Sequence, residues 1–168
     1  MPLHIAPLEN TPIGTLWLAE RDGVLLAIHF HSTAAEFTAA LERTTGETAV
    51  LNSAALESIA QQLREYFAGE RREFDVPLAW DTLTAFQQRA LRQVYAIPYG
   101  ELATYQEIAN QLGAPQSTRA VGRANATNPI PIIIPCHRVI GADGKLHGYG
   151  GGLEHKAALL RLEGSWLI

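Results

Sequence analysis

The stretch that most restricts how this chain can fold is Asn128-Pro129-Ile130-Pro131-Ile132-Ile133-Ile134-Pro135-Cys136-His137-Arg138-Val139-Ile140. Proline fixes φ, lacks an N–H and disfavours helix at the residue before it. An extended, rigid path is therefore expected across this segment. Ile130 to Ile134 is the densest apolar run and is far too short to cross a membrane. Cys136 is the only cysteine in 168 residues, which excludes an intramolecular disulfide framework and any multi-cysteine zinc or iron–sulfur site.

A lone cysteine closing an apolar run is often a small buried hydrophobe. Here the run stops at the cysteine, and His137 and Arg138 set ionisable groups beside it. A thiol reacts as thiolate, and nearby positive charge lowers its pKa. On an extended chain, neighbours point to opposite faces, so a direct Cys136–His137 bond is not implied. A base role for His137 needs a local turn or a bridging water. It also needs an orienting partner, and the segment itself does not identify which carboxylate that is.

Hydrophobic residues make up 47% of the chain and charged ones 18%, a globular composition and not a disordered one. Pro2-Leu3-His4 follows Met1 with no basic n-region, so the expected setting is a reducing cytoplasm. The net charge of −4 argues against coating nucleic acid by bulk charge. The halves differ, however: residues 1–84 carry −7 and residues 85–168 carry +3. A basic half of this kind hints at a polyanionic partner.

No internal repeat or low-complexity segment is present. Ile13 to Ala19 and Val24 to Phe30 read as strands, joined by Arg21-Asp22-Gly23 with the glycine supplying positive φ. Ala34 to Glu42 and Ser53 to Ala68 read as helices. The second places Leu56, Ile59, Ala60, Leu63 and Phe67 on one stripe, with Ser53 as cap and Gly69 as stop. Phe74 to Leu78 reads as a further short strand. The pattern shifts near Trp80–Leu83, dividing the chain into domains at 1–82 and 83–168. Thr84 caps a helix to Ala96, and Thr104 caps one carrying Ile108, Ala109 and Leu112. After Gly113-Ala114-Pro115, Gln116 or Ser117 opens a second short helix through Ala126. Helix, short turn, helix fits both a helix-turn-helix and an ordinary helical hairpin. The second helix has small residues at 120, 122, 124 and 126, while Arg119 and Arg123 share a face. Such a helix suits close approach to a phosphate backbone or tight packing on a neighbour. The glycines from 148 to 152, with Tyr149 among them, lack the context of a phosphate loop and suit a pocket wall instead. A last helix runs from Leu153 to Glu163.

Ile134-Pro135-Cys136-His137-Arg138-Val139 resembles the active-site signature of the O6-alkylguanine-DNA alkyltransferases. The resemblance extends, in family order and spacing, through Ala85-Phe86-Gln87, Ile97-Pro98-Tyr99-Gly100, Thr104-Tyr105, Arg119-Ala120-Val121-Gly122, Asn128-Pro129, Tyr149-Gly150-Gly151-Gly152 and Glu163-Gly164. The N-terminal half is similar more loosely, through Pro12-Ile13-Gly14 and its strand–helix order.

The resemblance implies an α+β fold, with a small N-terminal antiparallel sheet and helices (ribonuclease-H-like) packed on a mainly helical C-terminal domain containing a helix-turn-helix. It implies a suicide repair protein that needs no cofactor and acts as a monomer. Such a protein binds double-stranded DNA through the minor groove and flips out O6-alkylguanine, with O4-alkylthymine a further candidate substrate. Cys136 would be the nucleophile on the alkyl carbon, and a buried thiolate cannot reach a stacked base, which fits flipping. His137 would be the base through a water, oriented by Glu163. Tyr105 would donate to the guanine as charge develops. Arg119 would fill the gap left by the flipped base, with Gln106, Ser117 and Arg123 as further DNA contacts. Asn128 would brace the link from recognition helix to active site, and Val139, Tyr149 and Gly150 would line the base pocket.

Departures from the family pattern accompany these implications. Some members carry serine where Gly150 stands, which leaves the backbone amide alone to contact O6 and a roomier pocket. Leu91 occupies a position often held by tryptophan. The cysteines that bind a structural zinc in some members are absent. His29 and His31 alternate onto one strand face, but two histidines without a third ligand do not make a metal site. Three rivals remain: an alkyltransferase-like damage sensor, a helix-turn-helix regulator and a Cys–His hydrolase. The sensor lacks a nucleophile, which Cys136 supplies here. The regulator carries an extra cysteine domain for which a single cysteine leaves no room. The hydrolase would turn over many times.

Overall fold

The computed structural model describes residues 2–146, 149 and 152–166. It divides into two compact units, Met1–Ala79 and Trp80–Ile168, slightly before the boundary expected after residue 82.

In the first unit, β1 (Leu3–Thr11), β2 (Gly14–Arg21) and β3 (Val24–Phe30) precede α1 (Ala34–Thr45), β4 (Ala49–Leu51) and α2 (Ser53–Phe67). The sheet order is β3-β2-β1-β4, antiparallel except that β4 runs parallel to β1. The β2–β3 turn places Asp22 at φ 53° and Gly23 at φ 81°, the paired positive angles that match hairpin twist. Phe37 and Leu41 of α1 cover the face carrying Leu3, Ile5 and Ala19. The alternate buried residues Ala6, Leu8, Leu16 and Leu18 face the other way, and α2 packs on β1 and β2.

Several local expectations are corrected here. The central strand β1 gives no strand signal in the sequence, because Pro7 interrupts it and burial on both faces removes the alternation. Pro7 is tolerated because β4 pairs only with Leu3 to Ile5, so beyond that point β1 has a single neighbour. The expected strand from Phe74 to Leu78 reduces to an isolated bridge between Leu78 and Leu25. Asn52, not Ser53, caps α2 by accepting from the Ala55 amide, and Tyr66 rather than Phe67 completes its buried stripe. Thr33 and Glu36 form a capping box on α1.

In the second unit, α3 (Ala85–Tyr95) starts from Thr84, whose hydroxyl accepts from the Gln87 amide. The short β5 (Ala103–Thr104) leads directly into α4 (Tyr105–Gln111), with Thr104 and Glu107 forming a capping box. Then follow α5 (Thr118–Ala126), β6 (Val139–Ile140) and α6 (Leu153–Leu162). The helix-turn-helix is α4 and α5, with α3 packed on both. Strands β5 and β6 pair in parallel, Ala103 opposite Val139 and Thr104 opposite Ile140. Tyr105 begins immediately after one strand and Cys136 lies just before the other. This backbone pairing is what brings them together.

The extended path expected for 128–140 is overturned. Ile134 N–H bonds the Ile130 carbonyl at 3.0 Å, and Ile132 sits at φ 75°, an unusual angle for a β-branched residue. Asn128 locks this turn by donating to the Ile134 carbonyl at 2.9 Å and accepting from the Ile130 amide at 3.0 Å. Pro135, at φ −80° and ψ 63°, then makes an inverse γ-turn in which the Cys136 amide reaches the Ile134 carbonyl at 2.7 Å. A single 3₁₀ turn, Cys136–Arg138, follows. Proline fixes φ but leaves ψ free, so a proline-rich segment can coil as tightly as it can extend. Cys136 and His137 thus lie in a local turn and not on an extended strand.

Candidate active site

Cys136 is 3% exposed at the head of the 3₁₀ turn. Burial pushes its thiol up to about 11, opposed by hydrogen bonding from Asn128, the charge of Lys156, its own backbone and Tyr149. Adjacency in the sequence points to His137 and Arg138 as the groups that would acidify it. The cation that acts on it is instead Lys156, from α6.

Arg138 is committed elsewhere. Its Nε donates to Glu163 Oε1 at 2.8 Å and its Nη2 to Glu163 Oε2 at 3.0 Å, a two-pronged pair. Its Nη1 donates to the Ile97 carbonyl at 2.6 Å, and the guanidinium lies 5.7 Å from the Tyr99 ring centroid. Tyr99 in turn donates to the Leu162 carbonyl at 3.3 Å, beside Glu163. Burial alone would raise the Glu163 carboxyl. Hydrogen bonds from His137 and Arg138, with the charge of the guanidinium, overcome this and hold it down at about 2.

His137 is fully buried, with Nε2 2.7 Å from Glu163 Oε2. A carboxylate only accepts, so Nε2 carries the hydrogen and Nδ1 is the basic nitrogen. Burial lowers the imidazole pKa against the pull of Glu163, so the ring is neutral and Arg138 supplies the carboxylate's fixed counter-charge. Nδ1 is buried without a hydrogen-bond partner among the described residues.

Two functional side chains escape a reading of the sequence. Lys156 is 0% exposed, with Nζ 3.5 Å from the Tyr105 hydroxyl and 5.8 Å from that ring's centroid. Burial brings its ammonium down to about 8, opposed by Cys136. Asn125, on α5, is 2% exposed and its Nδ2 donates to the Cys136 carbonyl at 3.0 Å. It also hydrogen-bonds Tyr105, whose phenol is pushed up by burial and pulled down by this bond. A signal for both exists. Lys156 falls in stripe register with Leu159, Leu160 and Glu163, and Asn125 with Val121 and Ala124, so each sits where an apolar residue is expected.

The other expected site residues separate into groups. Asn128 locks the turn before Cys136, Val139 is fully buried in β6, and Tyr149 is buried close enough to act on the thiol. Gly150 lies outside the described residues. Arg119 and Arg123 are exposed on α5, and Arg123 borders a surface groove of about 240 Å³ shared with Thr84, Phe86 and Gln87. Ser117 stands at the α5 N-cap without a side-chain capping bond. Gln106 is exposed, but its amide is engaged: Nε2 donates to Asn110 and to the Pro115 carbonyl, and Oε1 accepts from Thr118. It clamps the start of α5 onto α4.

No group of three or more His, Cys, Asp or Glu side chains that could hold a metal occurs among the described residues. His29 packs edge-on against Phe37 at 4.8 Å, and burial lowers its pKa. His31 follows the end of β3 at φ 54°, so the expected alternation of the two histidines onto one strand face does not hold. No helix among the described residues is long and apolar enough to cross a membrane.

The fold and site define an α+β protein whose helical unit joins a helix-turn-helix to one buried thiol, backed by a His–carboxylate pair. Residues 7–80 match the family model described as 6-O-methylguanine DNA methyltransferase, ribonuclease-like domain, and residues 85–165 match its DNA binding domain. A methylated-DNA–protein-cysteine methyltransferase of Mycolicibacterium paratuberculosis is 49% identical over 92% of this chain and 88% of that one. The protein of that name from Methanosarcina acetivorans is 44% identical over 93% and 96%. The crystal structure of Mycobacterium tuberculosis OGT in complex with DNA superposes with a TM-score of 0.77 at 46% identity, covering 96% of this chain and 93% of that one. The chain belongs to the O6-methylguanine DNA methyltransferase family.

Proposed function

We propose that this protein repairs double-stranded DNA by moving the alkyl group of O6-alkylguanine irreversibly onto Cys136, once per chain. The observation that carries this reading is the His137 ring, pinned at Nε2 by Glu163 with Nδ1 left as the basic atom one residue from the thiol.

With a thiol pKa near 11, only roughly one chain in ten thousand holds a thiolate at pH 7. The proton must therefore leave as the reaction proceeds. It passes through one water to His137 Nδ1, and Glu163, held ionised by Arg138, stabilises the imidazolium formed. The sulfur attacks the alkyl carbon in line, an S–C bond forms and the C–O6 bond breaks. The electron pair goes to guanine, where Tyr105 supplies a hydrogen bond to the developing charge. The product thioether is stable, so the chain is spent.

DNA reaches the site through the exposed side of α5. The small residues of that helix and exposed Arg119 and Arg123 suit a minor-groove approach. Arg119 takes the place of the flipped base, while Ser117 and Arg123 meet the backbone. Gln106 serves this interface by fixing the angle between the two helices. Asn128 braces the turn before Cys136, and Val139 and Tyr149 line the base pocket. The protein acts as a monomer, and its thiol chemistry suits the reducing cytoplasm.

The test is intact-protein mass after incubation with a duplex containing O6-methylguanine. A gain of about one methyl group on Cys136, saturating at one per chain, is expected. Binding without mass gain would make the protein a damage sensor. Product well above one per chain would make it a hydrolase.

A further inference from the structure

The turn Ile97-Pro98-Tyr99-Gly100 closes with the Glu101 amide donating to the Pro98 carbonyl at 3.1 Å, and Gly100 takes the positive φ of 81°. It touches both members of the buried Arg138–Glu163 pair. Arg138 Nη1 donates to the Ile97 carbonyl at 2.6 Å. The same guanidinium sits over the Tyr99 ring, 5.7 Å from its centroid, where the electron-rich face attracts a cation. That attraction is stronger for a cation withdrawn from water, and Arg138 is 6% exposed.

The hydroxyl of Tyr99 reaches the other member. Helix α6 ends at Leu162 with Glu163 as its C-cap, and the last carbonyls of a helix have no amide partner within it. Those of Leu160 and Arg161 are met by the Ser165 and Gly164 amides, a Schellman ending. The carbonyl of Leu162, in the peptide that leads into Glu163, is met by the Tyr99 hydroxyl at 3.3 Å. A Cβ at Gly100 would lie 3.4 Å from the Glu163 carbonyl oxygen, so the turn runs directly against this helix end.

We propose that Tyr99 is a positioning residue for the base His137. The imidazole comes from the 3₁₀ turn of Cys136–Arg138, and its carboxylate partner comes from the end of α6. Tyr99 holds the first element through Arg138 and the second through Leu162, and so keeps Glu163 where His137 Nε2 can donate to it. The inference rests on the alkyl-transfer reading above and adds to it a residue that touches neither DNA nor the thiol.

The experiment measures the single-turnover rate of Cys136 methylation by an O6-methylguanine duplex, alongside duplex affinity, for Tyr99→Leu in the wild-type and Glu163→Gln backgrounds. Tyr99→Leu removes the ring and the hydroxyl while keeping an apolar side chain. It is expected to slow transfer by about tenfold or more with duplex affinity nearly unchanged. The same substitution in Glu163→Gln should cost at least about threefold less, because Tyr99 acts through the carboxylate. Tyr99→Phe keeps the ring and should stay within about threefold of the wild-type rate. Tyr99→Met should show the same loss as leucine, and its adaptable side chain serves if the leucine variant fails to fold. An equal factor in both backgrounds, or a phenylalanine variant as slow as the leucine one, would overturn the proposal. Wild-type protein that never gains mass would overturn the alkyl-transfer reading and this inference with it. Normal transfer by Tyr99→Leu would overturn this inference alone.

Discussion

Arg138 grips both oxygens of Glu163, at 2.8 and 3.0 Å, and acts on the adjacent His137 ring through that shared carboxylate. Hydrogen bonds from His137 and Arg138 keep the carboxylate ionised, so it accepts from His137 Nε2 and leaves Nδ1 as the base. A buried positive charge two residues after the cysteine thus serves the site through its neighbour's partner.

Glu163→Gln removes that charge while keeping most of the shape. It should slow transfer by about 10²–10⁴-fold, the range for losing general-base assistance, in a single-turnover assay. It also leaves Arg138 buried without its counter-ion, so the melting temperature should fall. The pH dependence carries a sign. The folded-state carboxyl lies near 2, below the value of 4.5 ordinary for glutamate, so its stabilisation is present above about pH 4.5 and fades as pH falls towards 2. A Glu163→Gln chain should lack that part of the acid-induced loss, as thermal melts across the window would reveal.

Lys156→Met should separate stability from activity. Burial lowers the folded-state pKa to about 8 from 10.5, so in that interval the unfolded chain binds more protons. Wild-type stability should therefore rise from pH 8 to 10.5, and below pH 8 the buried ammonium is a standing cost. The methionine variant should melt higher than wild type at pH 7 and lose this alkaline rise. Its transfer should nonetheless slow by about tenfold or more, because the cation favouring the Cys136 thiolate is gone. A variant that melts lower at pH 7 would contradict the linkage.

Cys136→Ser should bind an O6-methylguanine duplex as wild type does and gain no mass, since an alcohol is a far poorer nucleophile than a thiolate at neutral pH. Gel-shift affinity and intact mass on one sample check both halves. Persistent methylation would move the nucleophile elsewhere.

Arg119→Ala should reduce repair in duplex DNA more than reaction with a free O6-alkylguanine base, which has no helix gap to fill. Equal losses would remove the finger role. Wild-type duplex affinity should fall with added salt, because cationic contacts to the phosphates, Arg123 among them, release counterions.

Features that depend only on neighbours in the chain are legible in the sequence. The Asp22-Gly23 hairpin turn, the Thr84 and Thr104 caps and the two helices around Gly113 follow from local backbone chemistry, and each is present. The signature around Cys136 is equally plain. Its local conformation is not, because prolines restrict φ without choosing between an extended run and a turn, and the Asn128 bonds make the choice.

What the sequence by itself determined is the chemical inventory: one thiol, an adjacent imidazole, and two short helices around Gly113. Only the tertiary structure decided how that inventory is wired. Glu163 reaches His137 across 26 positions, Asn125 reaches Cys136 across 11, and Lys156 meets Tyr105 across 51. The physical reason is that a side chain's charge and basicity depend on what surrounds it once water is excluded. Those surroundings are assembled from residues far apart in the chain, through packing and the parallel β5–β6 pairing.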